Sequence, residues 1–205
     1  MKNKAKTRLA RVDRMIDKVK KIDQIANVSE ITRRSFGNNA FDGILTMIGV
    51  LVGSLTAEIS DPRVVITTGL STSIAIMISG AWGAYLTESS ERKKGLIELG
   101  KITLTNLDNT SIGRASRFAV VAVSVVDGLS PFFGSIVVLL PFFFSGLFTD
   151  IRSVYYTALG LGLMALFALG IWLGNVGKEN LILYGFKTLM AGVISILIGS
   201  LLNFK

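Results

Sequence analysis

The sequence contains no cysteine and no histidine among its 205 residues. Their absence excludes disulfides, thiolate zinc sites, histidine-ligated haem and the Ser-His and Cys-His pairs of nucleophilic catalysis. Any metal ion must therefore be held by carboxylate, amide or carbonyl oxygens, by hydroxyl groups, by water or by methionine sulfur. Oxygen ligands suit magnesium, calcium and manganese and tolerate ferrous iron, whereas methionine is a softer ligand.

Charged residues are also scarce in five long apolar stretches, although the whole chain carries a formal charge of +8. The stretches cover residues 41–57, 64–86, 118–148, 154–175 and 181–204. Because a spanning helix needs about 20 mostly apolar residues, the sequence predicts an all-α integral membrane protein with five transmembrane helices. The first stretch is short, so its helix is expected to begin near Phe36. Gly128 and Pro131 predict a kink or break in the long third stretch.

Lysine and arginine are distributed unevenly among the segments that flank these stretches. Segment 1–38 holds eleven, segment 87–117 holds six and the fourth connection holds two, whereas the opposite side holds only Arg63, Arg152 and Lys205. By the positive-inside rule, we expect the N-terminus in the cytoplasm and the C-terminus outside. The beginning of the chain is charged rather than apolar, so no cleavable signal peptide is expected.

The N-terminal segment is basic and has helical periodicity. Apolar residues recur at helical spacing between its lysines and arginines: Leu9, Val12, Ile16, Val19, Ile22 and Ala26. The pattern predicts that residues 1–35 form an amphipathic helix on the cytoplasmic membrane surface, attracted to anionic headgroups; a partly disordered basic tail is the alternative. Nucleic-acid binding is not expected, because no aromatic residue interleaves the charges. Residues 36–205 are expected to form the transmembrane domain.

The connection 87–117 is the only sizeable one expected on the cytoplasmic side. Glu88, Glu91 and Glu98 fall at i, i+3 and i+10, so they can share one side of a helix that continues from the second span. One hypothesis is that these glutamates collect cations at the mouth of a transport pathway. The alternative is a solvated helix in which Glu91 and Glu98 pair with the lysines three positions further on.

Two Asp-Gly pairs lie in apolar sequence and open a common pattern. Residues 42–49 read DGILTMIG and residues 127–134 read DGLSPFFG, so a glycine follows each aspartate by seven positions. Positions i, i+4 and i+7 lie on one face of a helix. The sequences GAWGAY at 80–85 and GIWLGN at 170–175 also resemble each other. These matches favour an internal duplication with parallel two-helix repeats, as in some transporters.

Asp42 and Asp127 are the candidate functional acids within the membrane. A carboxylate at the bilayer centre costs at least about 2.5 kcal/mol, so such residues face a protein interior or an aqueous cavity and are functional candidates. Asp127 follows nine apolar or small residues, which places it about 14 Å along its helix. We predict that the two acids bind a metal cation or relay protons. The alternatives are an interfacial N-cap at Asp42 and a protonated or paired structural residue at Asp127.

Met47 and Met77 lie in the first and second apolar stretches. Their thioethers are candidate ligands for a transported cation, although methionine is also common as lipid-facing filler. Small residues recur at fourfold spacing in several spans, a pattern that favours close helix packing or dimerisation.

Four stretches, taken in order, resemble the vacuolar iron transporter family, which includes the Ccc-type and nodulin-21-like proteins. They are ITRRSFGNNAFDGILT at 31–46, ISGAWGAYLTESSE at 78–91, FGSIVVLLPFF at 133–143 and GFKTLMAGVISILIGSLL at 185–202. The resemblance implies a homodimeric secondary transporter that exports ferrous iron or manganese from the cytoplasm in exchange for protons. The metal would be cargo, and no cofactor is expected. We expect the protein in the plasma membrane of a prokaryote.

The resemblance also marks positions at which this chain differs from the family. The family's first-helix aspartate falls on Asp42, but its second-helix methionine falls on Gly80 and a further acid falls on Ala84. Asp127 is an acid that the family pattern does not contain. A non-transporting membrane scaffold that kept the fold is therefore the alternative to a transporter. An enzyme is not expected, because carboxylates alone would have to perform its chemistry.

Overall fold

The computed structural model describes residues 27–201, and this part of the chain is all helical. Five long helices follow one another: α1 (Val28–Thr56), α2 (Pro62–Thr103), α3 (Ser111–Phe143), α4 (Ile151–Gly177) and α5 (Leu181–Leu201). A short 3-10 turn at Ser145–Leu147 precedes α4. Each long helix has the length and composition to cross a membrane, which confirms the prediction of five spans in an all-α integral membrane protein.

The ends of α1 and α2 differ from the sequence-based expectation. Helix α1 begins at Val28 rather than near Phe36. Helix α2 continues to Thr103, so the predicted connection 87–117 is helical apart from residues 104–110. Most of the basic helix predicted for residues 1–35, and with it the predicted contact with anionic headgroups, lies outside the described residues.

Helix α3 runs without interruption through Gly128 and Pro131 to Phe143. The predicted break is therefore wrong, and the alternative, a kink, stays a prediction. An interior proline removes one backbone donor, and a membrane helix tolerates that loss where neighbouring elements support it. Helix α3 has such a neighbour, because the backbone at Pro131 packs directly on Gly43 of α1, and the Ser135 hydroxyl donates to the carbonyls of Pro131 at 2.7 Å and of Gly43 at 3.1 Å.

The chain divides into two compact units. Among the described residues, the first unit comprises residues 27–35 and 82–126, and the second comprises residues 36–81 and 127–201. Helices α1, α2 and α3 each contribute residues to both units. The sequence-based division into residues 1–35 and 36–205 stays a prediction.

Helix α1 is the central helix of the second unit. Its residues Met47, Ile48 and Leu51 are fully buried and belong to one hydrophobic cluster with residues of α2, α3 and α4. Within that cluster the rings of Phe142 and Tyr155 meet edge to face with their centroids 4.9 Å apart. Residues of α1 also contact all four other helices, at Gly69 of α2, Pro131 of α3, Gly162 of α4 and Gly199 of α5.

Neighbouring helices alternate in direction. Gly69 and Gly80 of α2 lie against Leu139 and Asp127 of α3, respectively, so these two helices are antiparallel. Met47 of α1 contacts Gly69 of α2, whereas Asp42 shares a pocket with Gly80, so α1 is antiparallel to α2 as well. Helices α1 and α3 therefore run the same way, as the parallel repeat requires. The internal duplication itself stays a prediction.

Helices α4 and α5 approach each other closely. A Cβ atom at Gly170 would lie 2.5 Å from the carbonyl oxygen of Tyr184, so only glycine fits there. One turn away along α5, the hydroxyl of Thr188 is shared between the carbonyl of Leu166 in α4 at 2.8 Å and those of Gly185 and Tyr184 in its own helix at 2.9 and 3.2 Å, with the shortest distance to Leu166. This hydrogen bond links the two helices.

Replacing Thr188 by valine keeps the shape of the side chain and removes the interhelical donor. We expect a loss of about 0.6–2 kcal/mol in the free energy of unfolding, the range for hydrogen bonds between membrane helices. Unfolding of the detergent-solubilised protein measures the change. Thr157→Val is the matched control, because the Thr157 hydroxyl is exposed and donates to Ser153 within its own helix. An equal effect of both variants would contradict the prediction.

Candidate functional site

An open pocket of about 390 Å³ lies between α1, α2 and α3 in the second unit. Its lining consists of Asn39 and Asp42 from α1, Ala75, Ile76, Ser79 and Gly80 from α2, and Pro131 from α3. Asp42 is the single ionisable residue in this lining. A residue with a carboxylate, one with an amide and one with a hydroxyl line this pocket together with apolar residues, which makes it the candidate functional site.

The polar face of α1 follows from helical spacing. Asn39 and Asp42 are three residues apart and therefore share one face of the helix. Asp42 is exposed, whereas Ile44, Met47 and Ile48 are buried in the core. Asp42 lies well inside α1 rather than at its first turn, so the interpretation of this residue as an N-cap is wrong.

Gly43 brings α1 into backbone contact with α3 beside this pocket. A Cβ atom at Gly43 would lie 2.1 Å from the carbonyl oxygen of Pro131 and 2.5 Å from its Cα atom. The hydroxyl of Ser135 closes the same contact from α3 by donating to the Gly43 carbonyl. Asp42, the preceding residue, is thus held at the crossing of the two helices.

Gly128 makes a comparable approach between α3 and α2. A Cβ atom at Gly128 would lie 2.7 Å from the carbonyl oxygen of Met77 and 2.7 Å from the Cβ of Ala81. A Cβ atom at Gly80 would lie 2.8 Å from the carbonyl oxygen of Asp127. In both Asp-Gly pairs, therefore, the aspartate precedes a glycine that contacts another helix. Sequence reasoning found the repeat but did not find this use of its glycines.

Asp127 is absent from the residues that line the pocket. It is half-buried, and its Oδ1 atom is inaccessible to solvent. Its backbone carbonyl reaches Gly80, which does line the pocket. Within residues 27–201, no group of three or more acidic side chains is arranged to hold a metal ion. The pocket thus offers one carboxylate together with neutral oxygen donors.

The two candidate methionines occupy different environments, and neither lines the pocket. Met47 is fully buried in the core, with its sulfur against Gly69, so its interpretation as a lipid-facing residue is wrong. Met77 is half-buried, and its backbone carbonyl packs against Gly128. Their roles as metal ligands stay predictions.

The three glutamates lie on the C-terminal part of α2, in the first unit, and the prediction that they are helical is confirmed. Glu88 accepts a hydrogen bond from the Nε of Arg92 at 2.9 Å, one helical turn away. Glu91 and Glu98 are exposed, and in the described part of the chain neither forms an ion pair with the lysine three positions further on. Cation collection by these residues stays a prediction.

A second pocket of about 390 Å³ borders the C-terminal end of α1, and sequence reasoning did not find it. Its lining includes Glu58, Arg152 and Tyr155, and the Tyr155 hydroxyl donates to the carbonyl of Ile59 at 2.9 Å. A carboxylate and a guanidinium group both line this pocket, so any ion bound there would be attracted by one of them and repelled by the other. The pocket at Asp42 is the better candidate for a cation.

Comparison with known proteins gives a family match and two relatives. The sequence model of the VIT family matches residues 36–102, which include the α1 and α2 residues that line the Asp42 pocket. The chain is 32% identical to an uncharacterized protein of Methanocaldococcus jannaschii over 160 residues, which are 77% of this chain and 80% of that protein. It is 32% identical over 110 residues to the potassium-binding subunit of the potassium-transporting ATPase of Thermoplasma volcanium, covering 53% of this chain and 18% of that subunit.

Proposed function

This chain belongs to the VIT family, a family of membrane metal-ion transporters, and on that premise we propose that it is a secondary transporter of divalent metal cations. We propose ferrous iron or manganese as cargo, exported in exchange for protons across the plasma membrane of a prokaryote, with the N-terminus in the cytoplasm. The observation that carries the proposal is the position of Asp42 in an open pocket between three membrane helices.

Asp42 supplies the charge that a cation needs inside the membrane. A divalent ion loses much of its hydration when it leaves water, and oxygen ligands from the protein replace part of that shell. In this pocket the carboxylate of Asp42, the amide of Asn39 and the hydroxyl of Ser79 are the polar groups. A single carboxylate neutralises part of the charge and leaves the ion bound weakly enough to be released.

We assign proton coupling to Asp127. Its carboxyl group lies outside the pocket lining, whereas its backbone contacts Gly80 in that lining. Protonation or deprotonation of Asp127 can therefore alter the packing of α3 against the pocket. The Asp127 side chain would not occupy the space of the cation while doing so. Intramembrane acids serve as proton relays in many pumps and transporters.

Asp127→Asn is expected to uncouple transport from the proton gradient while metal binding persists. Uptake into proteoliposomes measures coupling, with and without an imposed pH difference. Metal-dependent thermal stabilisation measures binding, since a bound ion stabilises the folded protein by mass action. A variant that still responds fully to the pH difference would show that Asp127 takes no part in coupling.

A homodimer is proposed because two spans have little cover within the chain. In an apolar 18-residue window of each helix, 17% of the residues are buried in α2 and 11% in α5. The corresponding share is 44% in α1 and in α3. Helix α5 exposes Ile194, Leu197 and Ile198. Such faces pack against lipid or against a second copy of the chain.

Transport itself is tested by uptake of Mn²⁺, Fe²⁺, Co²⁺ and Zn²⁺ into proteoliposomes under a proton gradient. Saturable uptake of at least one cation, lost when the gradient is collapsed, is expected. Absence of uptake for every cation, with the protein intact and folded, would overturn the proposal. The alternative is then a non-transporting membrane scaffold of the same fold, which the replacement of two family pathway residues by Gly80 and Ala84 favours.

A further inference from the structure

The Asp42 pocket is lined without sulfur, and we propose that it selects hard, oxygen-preferring divalent cations of the Mn²⁺ and Ca²⁺ type over cations that prefer sulfur. This inference rests on the proposed transport function and narrows its substrate class. Three features of the second unit carry it: the chemistry of the lining, the positions of the two nearby methionines, and the packing of Gly80.

The polar groups of the lining are all hard donors. Asp42 presents a carboxylate, Asn39 an amide and Ser79 a hydroxyl. Carboxylate, carbonyl and water ligands suit magnesium, calcium and manganese, whereas thiolates and thioethers select softer metals. The volume of about 390 Å³ also leaves room for several waters at about 30 Å³ each. An ion in this pocket can therefore keep part of its hydration shell, which consists of further hard ligands.

Neither of the two nearby methionines lines the pocket. The sulfur of Met47 lies in the core, 3.2 Å from the position that a Cβ of Gly69 would occupy. On α2, the lining positions 75, 76, 79 and 80 form one continuous face. Met77 falls beyond that face at about 100° per residue, on the side where its backbone carbonyl meets Gly128.

Gly80 prevents any side chain from entering the pocket at its own position. A Cβ atom there would lie 2.8 Å from the carbonyl oxygen of Asp127, a backbone atom that cannot move without shifting α3. A longer side chain would need more room still. The same helix contact that places Asp127 beside the pocket therefore keeps this part of the lining free of a ligating side chain.

Because this preference follows from the missing sulfur, a single thioether in the lining should change it. Ile76→Met introduces one at a half-buried lining position with little change in volume, a type of exchange that packed proteins tolerate well. Ile78→Met is the matched control: it makes the same substitution on the same helix, at a position that is 57% exposed and outside the lining.

The experiment measures how added Cd²⁺, a softer cation of the same charge, inhibits Mn²⁺ uptake into proteoliposomes. In the wild type and in Ile78→Met, Cd²⁺ is expected to compete no better than an equal concentration of unlabelled Mn²⁺. In Ile76→Met, the Cd²⁺ concentration that halves Mn²⁺ uptake is expected to fall about tenfold, which corresponds to about 1.4 kcal/mol. The thermal stability of each variant is measured in parallel.

The outcomes separate this inference from the proposed function. If Cd²⁺ inhibits uptake by the wild type far better than unlabelled Mn²⁺ does, the proposed transport function would still hold. The hard-cation preference would be overturned. An equal response of Ile76→Met and Ile78→Met would overturn it as well. If no cation is transported, the proposed function fails, and metal-dependent thermal stabilisation decides the inference. Stabilisation by Mn²⁺ but not Cd²⁺, lost in Asp42→Asn, would support it, and any other result would overturn it.

Discussion

Replacing Asp42 by asparagine is expected to abolish most metal uptake while the protein still inserts and folds. The substitution keeps the size of the side chain and removes the single negative charge from the pocket lining. Loss of even an outer-shell partner of a metal ligand costs about 10- to 100-fold in affinity or activity, so the loss of the carboxylate should reach at least that range. Because Asp42 is exposed to the pocket rather than buried in the core, the unfolding temperature without metal should change little.

Glu30→Gln is the matched control for Asp42→Asn. Glu30 lies on the same helix, is exposed in its first turn and is outside the pocket lining. The control removes the same charge and is expected to change the free energy of unfolding by about 0.3–1 kcal/mol through the helix dipole, with uptake retained. Initial rates of uptake into proteoliposomes, normalised to inserted protein, make the comparison. Wild-type rates in Asp42→Asn would remove Asp42 from the transport pathway.

Gly43→Ala is expected to be the most destabilising small substitution in the second unit. The new Cβ would lie 2.1 Å from the carbonyl oxygen of Pro131 and 2.5 Å from its Cα atom. These are backbone atoms, so α1 and α3 must separate, and the Ser135 hydrogen bond across the crossing lengthens with them. Overpacking costs about 1–3 kcal/mol or more, and this site should lie at or above the upper end. Uptake should fall as well, because Asp42 adjoins the displaced crossing.

Gly49→Ala tests whether the effect belongs to the crossing or to glycine in general. Gly49 is on the same helix, is exposed, and would place a Cβ with nothing within 4 Å. Alanine at this position is expected to be neutral or stabilising by up to about 1 kcal/mol, because glycine has low helix propensity. Unfolding in detergent at several denaturant concentrations measures both variants. Similar stabilities of Gly43→Ala and Gly49→Ala would show that the close contact is not required for folding.

Gly80 illustrates how packing can account for a departure from the family pattern. The resemblance places a methionine of the transport pathway at this position, but a side chain there would meet the carbonyl of Asp127. Asp127 is itself an acid that the family pattern does not contain. The two differences lie in one contact between α2 and α3, so they are structurally linked in this chain.

Much of the architecture was predictable because each helix that crosses a membrane corresponds to one apolar stretch of the sequence. A helix that crosses the bilayer must be apolar over about 20 residues, and this requirement is visible in the sequence without any tertiary information. The ends of the helices were less predictable. Helix α1 begins at Val28 and α2 ends at Thr103 in polar sequence, where the membrane no longer dictates composition and local helix propensity extends the helix into water.

The candidate site was predictable only in part. The isolation of Asp42 and Asp127 in apolar sequence identified them as functional candidates, because charge in the bilayer is costly. Their different positions relative to the pocket were not predictable, since the same sequence pattern follows each aspartate. Only the packing shows that Asp42 lines the pocket and that Asp127 meets it through its backbone. Asn39 and Ser79 had no signal of their own, because isolated polar residues are common in membrane helices.

By itself, the sequence determined the five spans and the two acids within them, because hydropathy and charge act through each residue's own transfer from water. The tertiary structure decided which glycines lie at close helix contacts, which methionine is buried and which acid lines the pocket. Those outcomes depend on the distance between backbones where helices cross. Gly43 and Gly49 lie in the same apolar stretch of α1, yet a Cβ atom at Gly43 would meet Pro131 and one at Gly49 would meet nothing within 4 Å. No periodicity along a single helix contains that information.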